Sequence, residues 1–220
     1  MTQTALLLGW GTLVGTDLIS FPQAMVARPL VAGAVAGMIV GDLAAGAMIG
    51  VLLELFALDV LPFGGARYPD YGLGAVAGVA AAAGAPGVLG VGVATVVGLA
   101  TAYVGEWSIH LLRRWNAWDV RRRAVALERG SGHEIAVAHL TGWLRDVLRA
   151  IVLTAIGLLL AAAARRWAPV SLRGAVLLTA AMTGVALATA AVGATRLTEQ
   201  PRGWAWFAVG LGIGVAWVAL

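Results

Sequence analysis

The stretch RPLVAGAVAGMIVGDLAAGAMIGVLLELFAL, from Arg28 to Leu58, decides the fold. Almost every residue after Pro29 is apolar or glycine, yet the run carries Asp42 and Glu54. As one helix it would be about 45 Å long at 1.5 Å per residue, whereas the hydrocarbon core of a bilayer is about 30 Å thick. One straight upright span does not fit, so the run must tilt steeply, protrude or break into two pieces.

Five glycines and Glu54 form two stripes in this stretch. Members of each stripe are four residues apart and therefore share one helix face: Gly33, Gly37 and Gly41, then Gly46, Gly50 and Glu54. The step from Gly41 to Gly46 rotates by roughly 140° beyond whole turns, so the stripes cannot share a face of one straight helix. The pattern predicts two helical pieces that meet near Gly41–Ala45, pack their glycine faces inward and direct Glu54 into protein.

The composition is that of a membrane protein. Of the 220 residues, 60% are hydrophobic and 12% are charged, whereas soluble domains carry about 25% charged residues. We expect an all-α polytopic membrane protein with one transmembrane domain over 1–220. About six to eight transmembrane or re-entrant segments are expected, with broken helices in the N-terminal half. The apolar segments lie at about 4–21, 29–60, 71–84, 86–107, 139–164, 170–193 and 203–220.

One region, residues 111–138, is clearly polar and separates an N-terminal core (1–110) from C-terminal helices (139–220). It holds six arginines against three carboxylates, so the positive-inside rule predicts a cytoplasmic loop. Trp115, Trp118 and the arginines fit an amphipathic helix at the membrane surface, and a solvated basic linker fits equally well. The basic residues concentrate here and do not indicate nucleic-acid binding. The chain has no Cys, which excludes disulfides and thiolate metal sites.

Carboxylates within apolar segments indicate a site, because an ionisable group in hydrocarbon costs several kcal/mol. Glu54 fits a substrate contact, and it also fits a structural ion pair with Arg28 or Arg67. Asp42 follows the expected break and is predicted to cap the second helix. Asp17 stands 11 residues before Arg28 and could pair with it at one surface.

The segment LPFGGARYPDY, from Leu61 to Tyr71, cannot be regular helix because it combines two prolines with two glycines. Irregular backbone at membrane depth is tolerated only where protein or a cavity covers it. Gly64 and Gly65 are therefore candidates for the wall of a cavity. Asp70, which ends the segment, is predicted to cap the helix over 71–84, and it is a weaker candidate for substrate contact.

These residues resemble a known family. The stretch Arg28–Leu58, followed by Gly64-Gly65-Ala66 and Pro69-Asp70, is similar to subunit IIC of the mannose/fructose/sorbose-type sugar permeases of the phosphotransferase system (PTS). Asp17 stands upstream, as an acidic residue does in many members. In the second half, HLTGWLRDVLRA, from His139 to Ala150, resembles the stretch after the family's central loop.

The resemblance implies a transport subunit of the inner (plasma) membrane, embedded in the lipid bilayer as part of an oligomer. A IID membrane subunit completes the pathway for a hexose-type sugar, a core moves in an elevator-like manner, and soluble IIA and IIB proteins phosphorylate the arriving sugar. Neither a phosphohistidine nor any cofactor is expected in IIC, so His110, His133 and His139 are not expected to be catalytic. We expect substrate contacts at Glu54, Asp70, Gly64 and Gly65. Structural or gating roles are expected at Asp42, Arg28, Asp17 and Gly41.

Two other functions stay open. An intramembrane enzyme would need an activated nucleophile or a metal cluster, but no serine lies in a Gly-x-Ser-x-Gly context and no His-Glu-x-x-His is present. The pairs Ser108/His110 and Ser131/His133 are spaced by two and do not face each other on a helix. A repurposed scaffold, or a transporter without phosphotransfer coupling, is compatible with the apolar spans but gives the buried carboxylates no purpose.

Overall fold

A computed structural model describes residues 2–59, 67–85, 87–167 and 171–197, together with 205 and 209. The described residues form helices and no strands. The helices are α1 (Thr2–Asp17), α2 (Pro29–Val40), α3 (Leu43–Ala57), α4 (Tyr71–Ala82), a 3-10 turn (Gly87–Gly90), α5 (Val91–Arg122), α6 (Ala124–Glu128), α7 (Gly132–Trp167) and α8 (Leu172–Leu197). The predicted all-α class is confirmed. The expected segment at 203–220 lies almost wholly outside the described residues.

The apolar run after Arg28 is broken in two, as the glycine stripes predict. Helix α2 ends at Val40 and is capped by Gly41, whose φ of 85° is a left-handed conformation that favours glycine, and α3 begins at Leu43. The two helices pack antiparallel through their glycines. A Cβ on Gly33 would lie 2.7 Å from the Gly46 carbonyl oxygen, and a Cβ on Gly50 would lie 2.7 Å from that of Pro29. Only glycines permit so close an approach of two backbones.

The hairpin of α2 and α3 is too short to cross a membrane. Its helices contain 12 and 15 residues, or about 18 and 23 Å, against a hydrocarbon core of about 30 Å. Helix α4 also has only 12 residues, and all of them are buried. It packs against α2, α3, α5 and α7, so it forms the centre of the described fold. Arg165 of α7 donates a hydrogen bond to the Ala80 carbonyl oxygen near the end of α4.

The long helices surround this centre. Helices α7 and α8 are long and apolar enough to span a bilayer, and α5, with 32 residues, extends for about 48 Å. Most of the region 111–138 is helical: α5 continues to Arg122, α6 follows, and α7 begins at Gly132. The expected loop is therefore mostly helix, and the surface-helix and solvated-linker interpretations both stay predictions. The cytoplasmic position of the region stays a prediction.

Candidate functional site

A cavity of about 330 Å³ opens where the connection between α1 and α2 meets the end of α3. Its polar lining comes from three separate elements. Asp17 ends α1, Arg28 precedes α2, and Glu54 lies in the last turn of α3. Tyr68 adds an aromatic ring from the segment before α4, and Met25 is among the apolar residues of the lining. The cavity thus unites three of the residues that the sequence singled out.

Glu54 is held at the cavity wall by two contacts. It forms an ion pair with Arg28, and its Oε2 accepts a hydrogen bond of 3.2 Å from the backbone N–H of Leu30. The Glu54 side chain is 16% exposed and that of Arg28 is 57% exposed. The prediction that Glu54 points into protein is confirmed, and Arg28 is the partner. The pair offers both acceptor and donor groups to the cavity.

The sequence suggests an ion pair between Asp17 and Arg28, and this interpretation is wrong. Asp17 accepts backbone hydrogen bonds from Ala24 at 2.5 Å and from Ala27 at 2.9 Å. These bonds close the turn between α1 and α2 and stabilise the segment that carries Arg28. Arg28 is instead bound to Glu54, because the antiparallel hairpin places the end of α3 beside the start of α2.

Asp42 and Gly41 lie at the opposite end of the hairpin from Glu54. Asp42 Oδ1 accepts a hydrogen bond of 2.9 Å from the N–H of Ala45, so the predicted helix cap is confirmed. The 12 residues from Asp42 to Glu54 correspond to about 18 Å along the helix axis. Asp42 and Gly41 therefore shape the tip of the hairpin and do not line the cavity.

Asp70 belongs to a different place in the structure. It caps α4 by accepting a hydrogen bond of 3.2 Å from the N–H of Leu73, as predicted, but it does not line the cavity with Glu54. Its other oxygen accepts a hydrogen bond of 3.2 Å from Arg149 Nη1, and the Asp70 side chain is fully buried. Gly64 and Gly65 lie outside the described residues.

Arg149 is the centre of a buried polar network that the sequence did not reveal. Its Nε donates to Asp146 at 2.8 Å and its Nη2 donates to the Gly15 carbonyl oxygen at 2.6 Å. Asp146 also accepts a hydrogen bond of 2.6 Å from Ser20. Together with Asp70, these contacts connect α1, α4 and α7. The charges Arg145, Asp146 and Arg149, close together in an apolar helix, were the signal that could have drawn attention to this network.

A second polar cluster lies near the arginine-rich ends of α5 and α7. Asp119 accepts hydrogen bonds from Arg123 and Arg145, both at 3.2 Å, and Arg123 also bonds Glu134 at 2.5 Å. Burial opposes ionisation of Asp119, but the hydrogen bond and charge of Arg123 and the charge of Arg145 outweigh it. The pKa of Asp119 is therefore below its usual value. The cluster holds the two helix ends together.

Among the described residues, no three His, Asp or Glu side chains are grouped so that they could hold a metal ion. The observed architecture is that of an all-helical polytopic membrane protein, with a short glycine-packed hairpin and buried ionic groups. The chain belongs to the family described as the sorbose-specific IIC component of the PTS, whose model matches residues 1–210.

Relatives agree with this membership. A fructose permease IIC component of Bacillus subtilis (strain 168) is 31% identical over 137 residues, which are 62% of this chain and 50% of that protein. The match thus spans half the length of this curated relative.

A solved structure described only as a membrane protein shares the fold, with a TM-score of 0.69 at 17% identity over all of this chain and 96% of the other.

A second solved structure shares the fold. It is a cryo-EM structure of the mannose transporter ManYZ in complex with microcin E492, and its TM-score is 0.61 at 19% identity. The similarity covers 97% of this chain and 86% of the chain in that structure.

Proposed function

We propose that this chain is the IIC subunit of a sugar permease of the inner membrane. A IID-like membrane subunit completes the pathway for a hexose-type sugar, and soluble IIA and IIB proteins phosphorylate the sugar on arrival. The chain itself acts in transport and not as an enzyme. Membership in the IIC family supports the role, and the fold that the chain shares with a mannose transporter supports a paired membrane assembly.

The observation that carries the proposal is the placement of Glu54 in the wall of the 330 Å³ cavity. Small-ligand sites typically measure about 300–1,000 Å³, so this cavity suits a ligand of monosaccharide size. Sugars are neutral and rich in hydroxyl groups. A carboxylate accepts charge-assisted hydrogen bonds from hydroxyls, and such bonds are roughly twice as strong as neutral ones. Arg28 supplies donors beside it, and Tyr68 supplies a ring face for the C–H groups of a sugar.

The hairpin gives this site a rigid support. Arg28 and the N–H of Leu30 orient Glu54, so little side-chain entropy remains to be lost when a ligand binds. Because α2 and α3 pack through glycines without intervening side chains, the pair can move as one body. A short, broken element of this type is what builds substrate sites in secondary transporters. We infer that the hairpin is part of the moving core.

The test is sugar binding to the purified complex of this chain with its IID-like partner. Glu54→Gln keeps the side-chain shape and removes the charge, so each lost charge-assisted bond should weaken binding roughly tenfold to a hundredfold. Glu128→Gln makes the same change on an exposed residue outside the cavity and should leave affinity unchanged. Unchanged affinity in a well-assembled Glu54→Gln complex would remove Glu54 from the site.

A purely structural ion pair predicts another pattern. If Glu54 serves only to neutralise Arg28, the single variant should assemble poorly, and the double variant Arg28→Gln/Glu54→Gln should recover assembly and sugar affinity together. If Glu54 contacts sugar, the double variant can recover assembly but not sugar affinity. The yield of assembled complex and the dissociation constant, measured on the same preparations, separate these cases.

A further inference from the structure

A groove of about 300 Å³ runs between α5 and α7. Its walls are almost wholly apolar, and many of the wall residues are about half exposed on the outer surface. The residues that define its length and walls are Val104, Leu111, Trp115, Leu148, Val152 and Ile156.

The length of the groove matches one leaflet of a bilayer. On α5 it extends from Val104 to Trp115, and on α7 it extends from Arg145 to Ile156. Each interval is 11 residues, or about 16 Å of helix. Half of a hydrocarbon core of about 30 Å is about 15 Å, which is the depth that one lipid acyl chain occupies.

The few polar groups in the floor of the groove already have partners. Ser108 donates a hydrogen bond of 2.6 Å to the Gly105 carbonyl oxygen, and Arg149 is bonded to Asp70, Asp146 and the Gly15 carbonyl oxygen. An apolar chain in the groove would therefore desolvate no unpaired charge. This matters because burying an unsatisfied polar group is costly.

One end of the groove is cationic. Arg145, whose side chain is 30% exposed, lines that end together with Trp115, and the exposed Arg114 directly precedes Trp115. Arg145 bonds Asn116 and Asp119 through Nη1 alone, so its Nε and Nη2 donors remain for a headgroup. The region 111–138, which begins here, carries six arginines against three carboxylates. Tryptophan and arginine at the end of an apolar surface are typical of the level of lipid headgroups, and clustered basic residues attract anionic lipids.

We propose that this groove binds an anionic phospholipid, with one acyl chain between α5 and α7 and the phosphate between Arg145 and Arg114. The groove and the Glu54 cavity have no lining residue in common. Length and charge favour a lipid chain over a partner helix, because the groove is about one leaflet long and ends at Trp115 and Arg145.

The experiment measures lipid binding to the purified, delipidated full chain in detergent by native mass spectrometry. Phosphatidylglycerol and phosphatidylcholine with identical acyl chains are the probes. We expect saturable binding of one phosphatidylglycerol, with at least about fivefold preference over phosphatidylcholine, because one basic group near the surface contributes about 1 kcal/mol. Equal affinity for the two lipids would overturn the proposal.

Two pairs of variants locate the site. Val152→Trp fills the middle of the groove and should weaken phosphatidylglycerol binding at least tenfold. Val176→Trp places the same bulk on a similarly exposed valine of α8 and should not change it. Arg145→Gln should abolish the headgroup preference and leave phosphatidylcholine binding intact, whereas Arg166→Gln, near the other end of α7, should not.

The variants also define what refutes the proposal. Unchanged phosphatidylglycerol binding in folded Val152→Trp would show that the lipid lies elsewhere. If Arg145→Gln does not fold, Arg114→Gln takes its place, since Arg114 is exposed and lies next to Trp115. A full headgroup preference in that variant would overturn the assignment of the phosphate to this end of the groove. Loss of the bound lipid when the partner subunit assembles would show that the partner covers the groove, and it would overturn the proposal as well.

Discussion

Replacement of Gly33 by alanine tests the packing of the α2–α3 hairpin. An added Cβ would lie 2.7 Å from the Gly46 carbonyl oxygen and 2.9 Å from the Gly50 Cα. Both atoms belong to the backbone, so no side-chain rotation can relieve the overlap. Moving the oxygen from 2.7 Å to the 3.4 Å of ordinary contact requires α2 and α3 to separate by about 0.7 Å.

The cost follows from two opposing effects. Overpacking of a tight interior typically costs about 1–3 kcal/mol, whereas replacing glycine by alanine within a helix returns up to about 1 kcal/mol. We expect Gly33→Ala to lower the free energy of unfolding by about 1–2 kcal/mol, or roughly fivefold to thirtyfold in the folding equilibrium. The assay is reversible unfolding of the purified chain in mixed micelles, followed by circular dichroism.

Gly9→Ala is the matched control. Gly9 lies within α1, and an added Cβ there would meet no atom within 4 Å. The control should be neutral or more stable by up to about 1 kcal/mol, because only the helix propensity changes. If Gly33→Ala proved as stable as Gly9→Ala, the direct backbone contact between α2 and α3 would be refuted.

Three further predictions concern the network, the topology and the partner. Arg149→Met leaves Asp70 and Asp146 buried without their cation. It should lower the free energy of unfolding by about 3–5 kcal/mol in the same assay. Arg166→Met, on the exposed end of α7, is the control and should have little effect. Because the chain has no native Cys, Arg129→Cys can be labelled alone; an impermeant reagent should reach it only after the cells are opened, and labelling of intact cells would place the region outside. Reconstituted by itself, the chain should not take up sugar, and uptake should appear with the IID-like partner; uptake without any partner would contradict a shared pathway.

Local patterns in the chain were sufficient to predict the helical hairpin. The excess length after Pro29 and the change of stripe between Gly41 and Gly46 predicted the break, which the structure has at Gly41. The caps at Asp42 and Asp70 could also be predicted, because each Asp directly precedes a predicted helix. Helical periodicity and capping involve residues only three or four positions apart, so the necessary information is contiguous in the chain.

Contacts between distant residues could not be predicted in this way. The sequence grouped Glu54 with Asp70, but the structure places Glu54 at an open cavity and Asp70 in a closed network with Arg149, 79 residues away. Likewise, the sequence allowed Arg28 to form an ion pair with Asp17 or with Glu54. The antiparallel packing of α2 and α3 brings Arg28 to Glu54. Charges in an apolar segment indicate that partners must exist, because isolated charges are too costly there. Which partners they find depends on how the helices pack, and that is determined by the tertiary structure alone.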